Sequence, residues 1–373
     1  MRKVIAISIL GLVALLVVPI LLAQFGEAER RSFEWVELKD MDFEEISFRN
    51  TAQDLKLGGM LFVPEGEGPF PAAVIIQGSG TSRRDNGWYL TLTRYLQDNG
   101  VVILLPDKRG SEKSEGSWRT ASFEDLATDT EAAIAFLRHQ DEVGISTIGV
   151  IGLSQGGHIA PIVADRTQEI GFLVNIVGAA IPMHDLLVYE ETHNLRELGV
   201  LPGLSELLAY PAAWSVRIRQ REFWNAVGNF DPRPYWQALS VPSLVLYGQN
   251  DTNVPSIKSA EALRSLGNRN IDIRIYEDSG HALESPEGAG NSVFREDALR
   301  DIRDFIHSAS TGAWFRPVTT DSLPISRLTT GSSGRSAEPE RYTDWSIAQQ
   351  VLAMKMRRLS AGMERRQHAN DKR

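Results

Sequence analysis

The chain of 373 residues contains no cysteine. That excludes a thiolate nucleophile, disulfide bridges and any zinc site built on thiolates. It leaves the compartment open, because exported proteins can also do without disulfides. Neither H-E-x-x-H nor H-x-x-E-H occurs, and there is no P-loop. Metal-activated water and nucleotide phosphates are therefore not implied, and no cofactor is expected. Basic charge is also short: 39 Lys/Arg stand against 48 Asp/Glu, a net charge of −9, with no dominant basic stripe. Such a chain is poorly suited to nucleic acid. What remains is a globular composition, 42% hydrophobic and 23% charged, enough for one large domain with extensions.

Long apolar runs are absent with one exception. Arg2 and Lys3 precede residues 4–23, a stretch of 20 without a charge. Twenty apolar residues span a bilayer as a helix, whereas an export signal has an apolar region of about 7–15. Residues 1–31 are expected to be a signal-anchor or a signal peptide, the length favouring a retained anchor. The basic flank would keep the N-terminus in the cytoplasm. Both forms place the rest of the chain outside the cytoplasm, periplasmic or extracellular, with the membrane as a partner through this segment. Lack of cysteine excludes a lipoprotein anchor.

The most informative segment is Ile148-Gly149-Val150-Ile151-Gly152-Leu153-Ser154-Gln155-Gly156-Gly157. A buried strand runs into Gly152, then Ser154, then two glycines that open a helix. This is the G-x-S-x-G nucleophile elbow. A serine hydroxyl is a weak nucleophile and must stand clear of the backbone to meet both a base and a carbonyl. The sharp turn does that, and small residues on both sides leave room for it. The same turn aims the Gln155 N–H and the helix N-terminus at the site where negative charge develops.

An elbow needs an acid and then a histidine downstream. Of the seven histidines, His281 has the right setting: it follows the alternating residues 271–276 and the loop Asp278-Ser279-Gly280. The apolar run 243–248 ends in Gln249-Asn250-Asp251-Thr252, so Asp251 sits on a turn where it can orient His281. Asp251 lies 97 residues after Ser154 and His281 a further 30. Taken singly, Asp251 suits a turn former and His281 a loop histidine. All three in order, each at a strand's C-terminal end, point to a triad. Asp278 is the rival acid, on the same loop as His281. His158 is expected in packing or at the surface. For the oxyanion hole, the strand 72–76 followed by Gln77-Gly78-Ser79-Gly80 offers the Ser79 N–H as partner to that of Gln155; a plain Gly/Ser turn is the competing reading.

With these pieces the chain resembles the α/β-hydrolase superfamily, and most of all its bacterial serine esterases. The shared segments are Gln77-Gly78-Ser79-Gly80, Leu105-Pro106-Asp107-Lys108-Arg109-Gly110-Ser111, the elbow, Leu246-Tyr247-Gly248-Gln249-Asn250-Asp251 and Gly280-His281, within about residues 43–307. Two positions depart from the family: Gln77 stands where many relatives carry His, and Glu112 where many carry Gly. The second change bears on a loop expected to line the pocket. Asp107 and Arg109 are expected to hold that loop by local hydrogen bonds.

The resemblance implies an α/β fold: a mostly parallel central sheet with helices on both faces and a helical cap insertion. Strand and helix signals alternate accordingly. Residues 43–49 and 55–63 read as an antiparallel start, 87–99 as a helix, and 122–139 as a helix capped by Ser122. Residues 32–180 and 241–307 form the two parts of the core. Residues 181–240 break the rhythm with a mostly helical insertion carrying Tyr189, Leu195, Leu201, Leu207, Leu208, Trp214 and Phe223, a cap whose apolar character suits a hydrocarbon-bearing ester. Residues 308–373 form a polar linker and basic tail, 11 Lys/Arg against 6 Asp/Glu. Trp345, Leu352, Met356, Leu359 and Met363 in it recur at helical spacing.

The expected activity is hydrolysis of a small-molecule carboxylic ester by Ser154, His281 and Asp251. A peptidase or an acyltransferase would share the triad, and a non-catalytic binding protein on this scaffold is the remaining alternative.

Overall fold

The computed structural model describes residues 32–33, 35–285 and 291–314. The expected membrane segment at residues 1–31 lies outside them, as does the amphipathic spacing between Trp345 and Met363. Among the described residues no helix is long and apolar enough to cross a membrane.

After the short strand β1 (Ser32–Phe33), the antiparallel start is β2 (Glu44–Asn50) paired with β3 (Leu55–Phe62). Then β4 (Phe70–Ile76), helix α1 (Gly87–Asp98), β5 (Val102–Pro106), α2 (Phe123–Arg138), β6 (Ile145–Leu153), α3 (Gly156–Arg166) and β7 (Phe172–Ile176) alternate. Four helices follow: α4 (Met183–Glu197), α5 (Leu204–Arg219), α6 (Arg221–Val227) and α7 (Arg233–Ala238). The alternation resumes with β8 (Ser243–Gly248), α8 (Ser256–Ser265) and β9 (Ile271–Tyr276). The main sheet has eight strands in the order β2-β3-β5-β4-β6-β7-β8-β9. From β5 to β9 neighbouring strands are parallel.

Strands covered on both faces read as unbroken apolar runs, and β4 shows why. Ala72, Val74 and Ile76 enter one core while Ala73 and Ile75 enter the other. The first core takes Leu126 and Ile134 of α2, Ile159 of α3 and Leu263 of α8. The second takes Leu92 and Leu96 of α1 with Ile302 and Phe305 of the last helix, α9 (Glu296–Ser310). Burying one such side chain contributes about 1.5–3 kcal/mol. Helix α2 starts where the sequence predicts: the Ser122 hydroxyl accepts from the Asp125 N–H at 3.0 Å, and the Asp125 carboxylate accepts from the Ser122 N–H at 2.9 Å. This reciprocal capping box satisfies two end donors.

A second, small sheet was not legible in the sequence. In it β1 pairs parallel with β11 (Asn291–Phe294), which pairs antiparallel with β10 (Glu284–Ser285). Strands of two to four residues carry too little alternation to be read.

Chain order positions the site. From β4 the chain adds β5 on one side, then crosses to lay β6 on the other side of β4. The connections leaving the C-terminal ends of β4 and β6 therefore diverge, and in open α/β sheets ligands bind in the crevice so formed. Helices α4 to α7 fill the interval between β7 and β8 above it. Their apolar side chains divide between solvent and the pocket. Leu201, Leu207 and Trp214 are 73%, 69% and 67% exposed and do not line the pocket. From these helices Met183, Leu186 and Leu187 at the start of α4 and Phe223 and Trp224 of α6 line it. Helical periodicity tells which residues share a face, not which face meets the sheet.

Candidate active site

Ser154 has φ +51, a left-handed conformation that a non-glycine residue adopts at a cost on the order of 1–2 kcal/mol. The surrounding backbone enforces it. The Ser154 N–H donates to the Ile176 carbonyl at 2.8 Å, and the Ser154 carbonyl accepts from the Gly157 N–H at 2.9 Å. The flanking glycines are required by space. A Cβ on Gly152 would stand 2.4 Å from the Gly156 carbonyl oxygen, and one on Gly156 2.0 Å from that of Ile76. The turn thus presses the start of α3 against the end of β4.

Residues distant in sequence meet at this elbow. The His281 Nε2 lies 2.9 Å from the Ser154 Oγ, and its Nδ1 lies 2.8 Å from the Asp251 Oδ2. Asp251 is held in turn. Its Oδ1 accepts from the N–H groups of Asn253 and Val254, both at 2.8 Å, and its backbone carbonyl accepts from the Tyr189 hydroxyl on α4 at 2.7 Å. Asp251 and His281 are 2% and 5% exposed, so water competes little for these bonds. The rival acid Asp278 is exposed on its turn. His158 is buried in α3, its ring stacked on Phe123, and desolvation lowers it to about 4, with Gln155 opposing weakly.

Ser79 and Gln155 both line the pocket beside Ser154. Among the described residues, no group accepts a hydrogen bond from the Ser79 or Gln155 N–H. The Gly78 N–H is already committed to the Tyr89 hydroxyl at 2.9 Å. The loop approaches the serine closely: a Cβ on Gly78 would lie 3.4 Å from that of Ser154. Gln77, at the family's His position, donates from its side chain to the Pro106 carbonyl and ties this loop to the end of β5.

At that strand end Asp107 accepts from Arg84 Nε at 2.8 Å and Nη2 at 2.7 Å, while Arg109 binds Asp129 through Nε at 2.6 Å and Nη2 at 2.8 Å. The sequence implied local bonds; Asp107 makes one to the Lys113 N–H at 3.2 Å, whereas Arg109 ties the loop to α2 instead. Glu112 has φ +48, which explains the family's glycine there. It does not line the pocket, contrary to expectation. Sequence reasoning missed Lys108, buried between these two arginine clusters, and Glu190, whose half-buried residue on α4 borders the pocket. Burial, with Glu191 beside it, pushes the Glu190 carboxyl up to about 7. Neither position belongs to a spaced motif, so only the fold reveals them.

The cavity above Ser154 measures about 140 Å³. Its lining mixes aromatic and aliphatic side chains with the polar Thr81, Ser82, Asn86 and Asn253. Among the described residues no Lys or Arg lines it. Among the described residues, no group of three or more His, Cys, Asp or Glu could hold a metal ion.

Comparison with known proteins agrees with this architecture. The esterase Pf2001 of Pyrococcus furiosus superposes with a TM-score of 0.52 at 18% identity, covering 75% of this chain and 95% of that one. The proline iminopeptidase of Mycobacterium smegmatis superposes with a TM-score of 0.53 at 13% identity, covering 73% and 100%. The chain has the α/β-hydrolase fold. Residues 130–288 match the family described as BAAT / Acyl-CoA thioester hydrolase C terminal, and residues 55–195 match X-Pro dipeptidyl-peptidase (S15 family). Esterase EstD of Thermotoga maritima is 28% identical over 294 residues, 72% of this chain and 67% of that protein. The peroxisomal succinyl-coenzyme A thioesterase of Mus musculus is 25% identical over 252 residues, which are 61% of this chain and 52% of that protein. The sequence relatives thus put this hydrolase among esterases and thioesterases.

Proposed function

We propose that the protein is a serine hydrolase that cleaves carboxylic esters through an acyl-enzyme. The observation that carries this reading is the unbroken chain Ser154 Oγ, His281 Nε2, His281 Nδ1, Asp251 Oδ2, with links of 2.9 and 2.8 Å at the floor of the cavity. Ser154 attacks the ester carbonyl and His281 takes its proton; Asp251 holds the imidazole and stabilises the imidazolium. The N–H groups of Ser79 and Gln155 hold the oxyanion. Collapse expels the alcohol, which receives the proton from His281. Water, deprotonated by His281, then releases the acid. The helices above the crevice act as a cap that excludes bulk water and shapes the acyl pocket.

The match to the acyl-CoA thioester hydrolase family spans Ser154, Asp251 and His281 and favours a second reading, a thioesterase. The cationless cavity wall and Glu190 support a neutral ester over an acyl group that is itself anionic. The test is hydrolysis of p-nitrophenyl esters from two to twelve acyl carbons beside the matching acyl-CoA thioesters, with Ser154→Ala as control. Ester turnover that Ser154→Ala abolishes, exceeding thioester turnover in kcat/KM, supports the esterase. The reverse preference selects the thioesterase. Ser154-dependent acyl transfer to an added alcohol that outruns hydrolysis selects a transferase, and cleavage confined to peptide anilides a peptidase. Turnover that survives Ser154→Ala sinks the serine mechanism.

A further inference from the structure

One buried cation lies behind both oxyanion donors. Lys108 follows β5 and is 6% exposed. Its Nζ donates to the Gly78 carbonyl at 2.7 Å and to the Gln155 Oε1 at 2.9 Å. The Gly78 carbonyl belongs to the same peptide group as the Ser79 N–H. Gln155 carries the second donor on its backbone. The two donor residues, on loops after β4 and β6, are thus fastened to a single ammonium.

No anion accounts for the burial of this charge. Among the described residues no carboxylate lies within ion-pair distance of Lys108 Nζ. The neighbouring charges are engaged elsewhere, Asp107 with Arg84 and Arg109 with Asp129. On α3 the ionisable residue that lines the pocket is His158, which burial lowers to about 4. The Trp118 ring, 5.5 Å from Nζ, supplies the remaining favourable contact. A buried, unpaired ammonium is costly, and a fold retains one where a negative charge is yet to form. In the proposed reaction that charge is the oxyanion.

We propose that Lys108 is a positioning residue that sets and polarises the oxyanion hole: its ammonium pulls electron density from the Gly78–Ser79 peptide, makes the Ser79 N–H a stronger donor, and fixes Gln155 beside it. Hydrogen-bonded peptides polarise one another in this cooperative sense. The effect is selective for the transition state, because the neutral substrate carbonyl gains much less from it than the oxyanion does. Burial alone lowers Lys108 from 10.5 to about 7, so the ammonium is lost as pH rises through that value.

The inference rests on the serine hydrolase reading, and the experiment separates the two. Lys108→Met keeps length and volume and removes the charge. Direct loss of one oxyanion donor costs on the order of 10²–10³ in kcat; an indirect support is expected to cost about 10- to 100-fold, with KM within twofold. A trifluoromethyl ketone, which forms an anionic tetrahedral adduct with Ser154, should bind more weakly by the same factor as the loss in kcat. Equal loss of KM and kcat, or unchanged ketone affinity, overturns the inference. If Lys108→Met does not fold, the wild-type pH profile decides. A kcat that falls above about pH 7 supports Lys108, and one level to pH 9 overturns it. Ser154→Ala turnover, by contrast, bears only on the parent reading.

Discussion

In Gly156→Ala the added carbon would stand 2.0 Å from the Ile76 carbonyl oxygen and 2.8 Å from its carbonyl carbon. Ordinary contact begins near 3.4 Å. The start of α3 and the end of β4 must therefore separate by about 1.4 Å, and both neighbours are backbone, so neither can rotate aside. Those two ends carry Gln155 and Ser79. Widening the gap between them draws the two N–H donors apart, while His281 and Asp251 keep their own supports. Misplacement of about 1 Å costs on the order of 10²-fold in rate, and overpacking of this kind destabilises by about 1–3 kcal/mol. The expected result is a folded protein whose kcat on p-nitrophenyl butyrate falls about 100-fold with a modest drop in Tm. Fluorophosphonate labelling, whose transition state uses the same hole, should slow in parallel. Gly156→Ala with kcat within threefold of wild type refutes the assignment of the Ser79 and Gln155 donors.

Asp251→Asn is expected to lower kcat roughly 10³- to 10⁴-fold with little effect on folding, because the amide cannot hold the imidazole in the tautomer that faces Ser154; a loss below tenfold in kcat assays would point to another acid. His158 is lowered to about 4 in the fold against 6.5 when unfolded. The unfolded chain takes the proton first, so stability is whole above pH 6.5 and is lost as pH falls toward 4. Between pH 7.5 and 4.5 this is about 2–3 kcal/mol. Urea unfolding should show that loss in wild type in excess of His158→Asn, and equal losses would contradict it. Glu190, raised to about 7, gains its negative charge as pH climbs through neutrality. Discrimination against an ester whose acyl chain ends in a carboxylate should therefore grow from pH 6 to 8 and flatten in Glu190→Gln; identical kcat/KM ratios in both proteins would argue that Glu190 does not face the acyl group. The charge-free run at residues 4–23 predicts an exported body: protease added to cells stripped of their outer layers should digest it, and protection would contradict export.

The turn at Ser154 and the strand-end places of Asp251 and His281 were legible because each depends largely on local chain chemistry. Gly152 is demanded by the Gly156 backbone within the same turn, and Gly156 by the Ile76 carbonyl of the neighbouring strand, so both stand at fixed spacing around Ser154. Asp251 follows an apolar strand and His281 an alternating one, and a parallel sheet delivers successive strand ends to one edge. The capping box at Ser122 and Asp125 is local in the same way. Tertiary structure alone decided the rest. Which cap residues face the crevice depends on how α4 to α6 dock, and that docking turned Leu207 and Trp214 outward while bringing Leu187 and Trp224 in. Lys108 sits inside a recognised segment, yet its neighbours Gly78 and Gln155 are 30 and 47 residues away. Sequence order states that a lysine follows β5. Only the packing of β5, β4 and β6 side by side states that its charge is buried behind both donors, because burial and charge separation are properties of the assembled sheet.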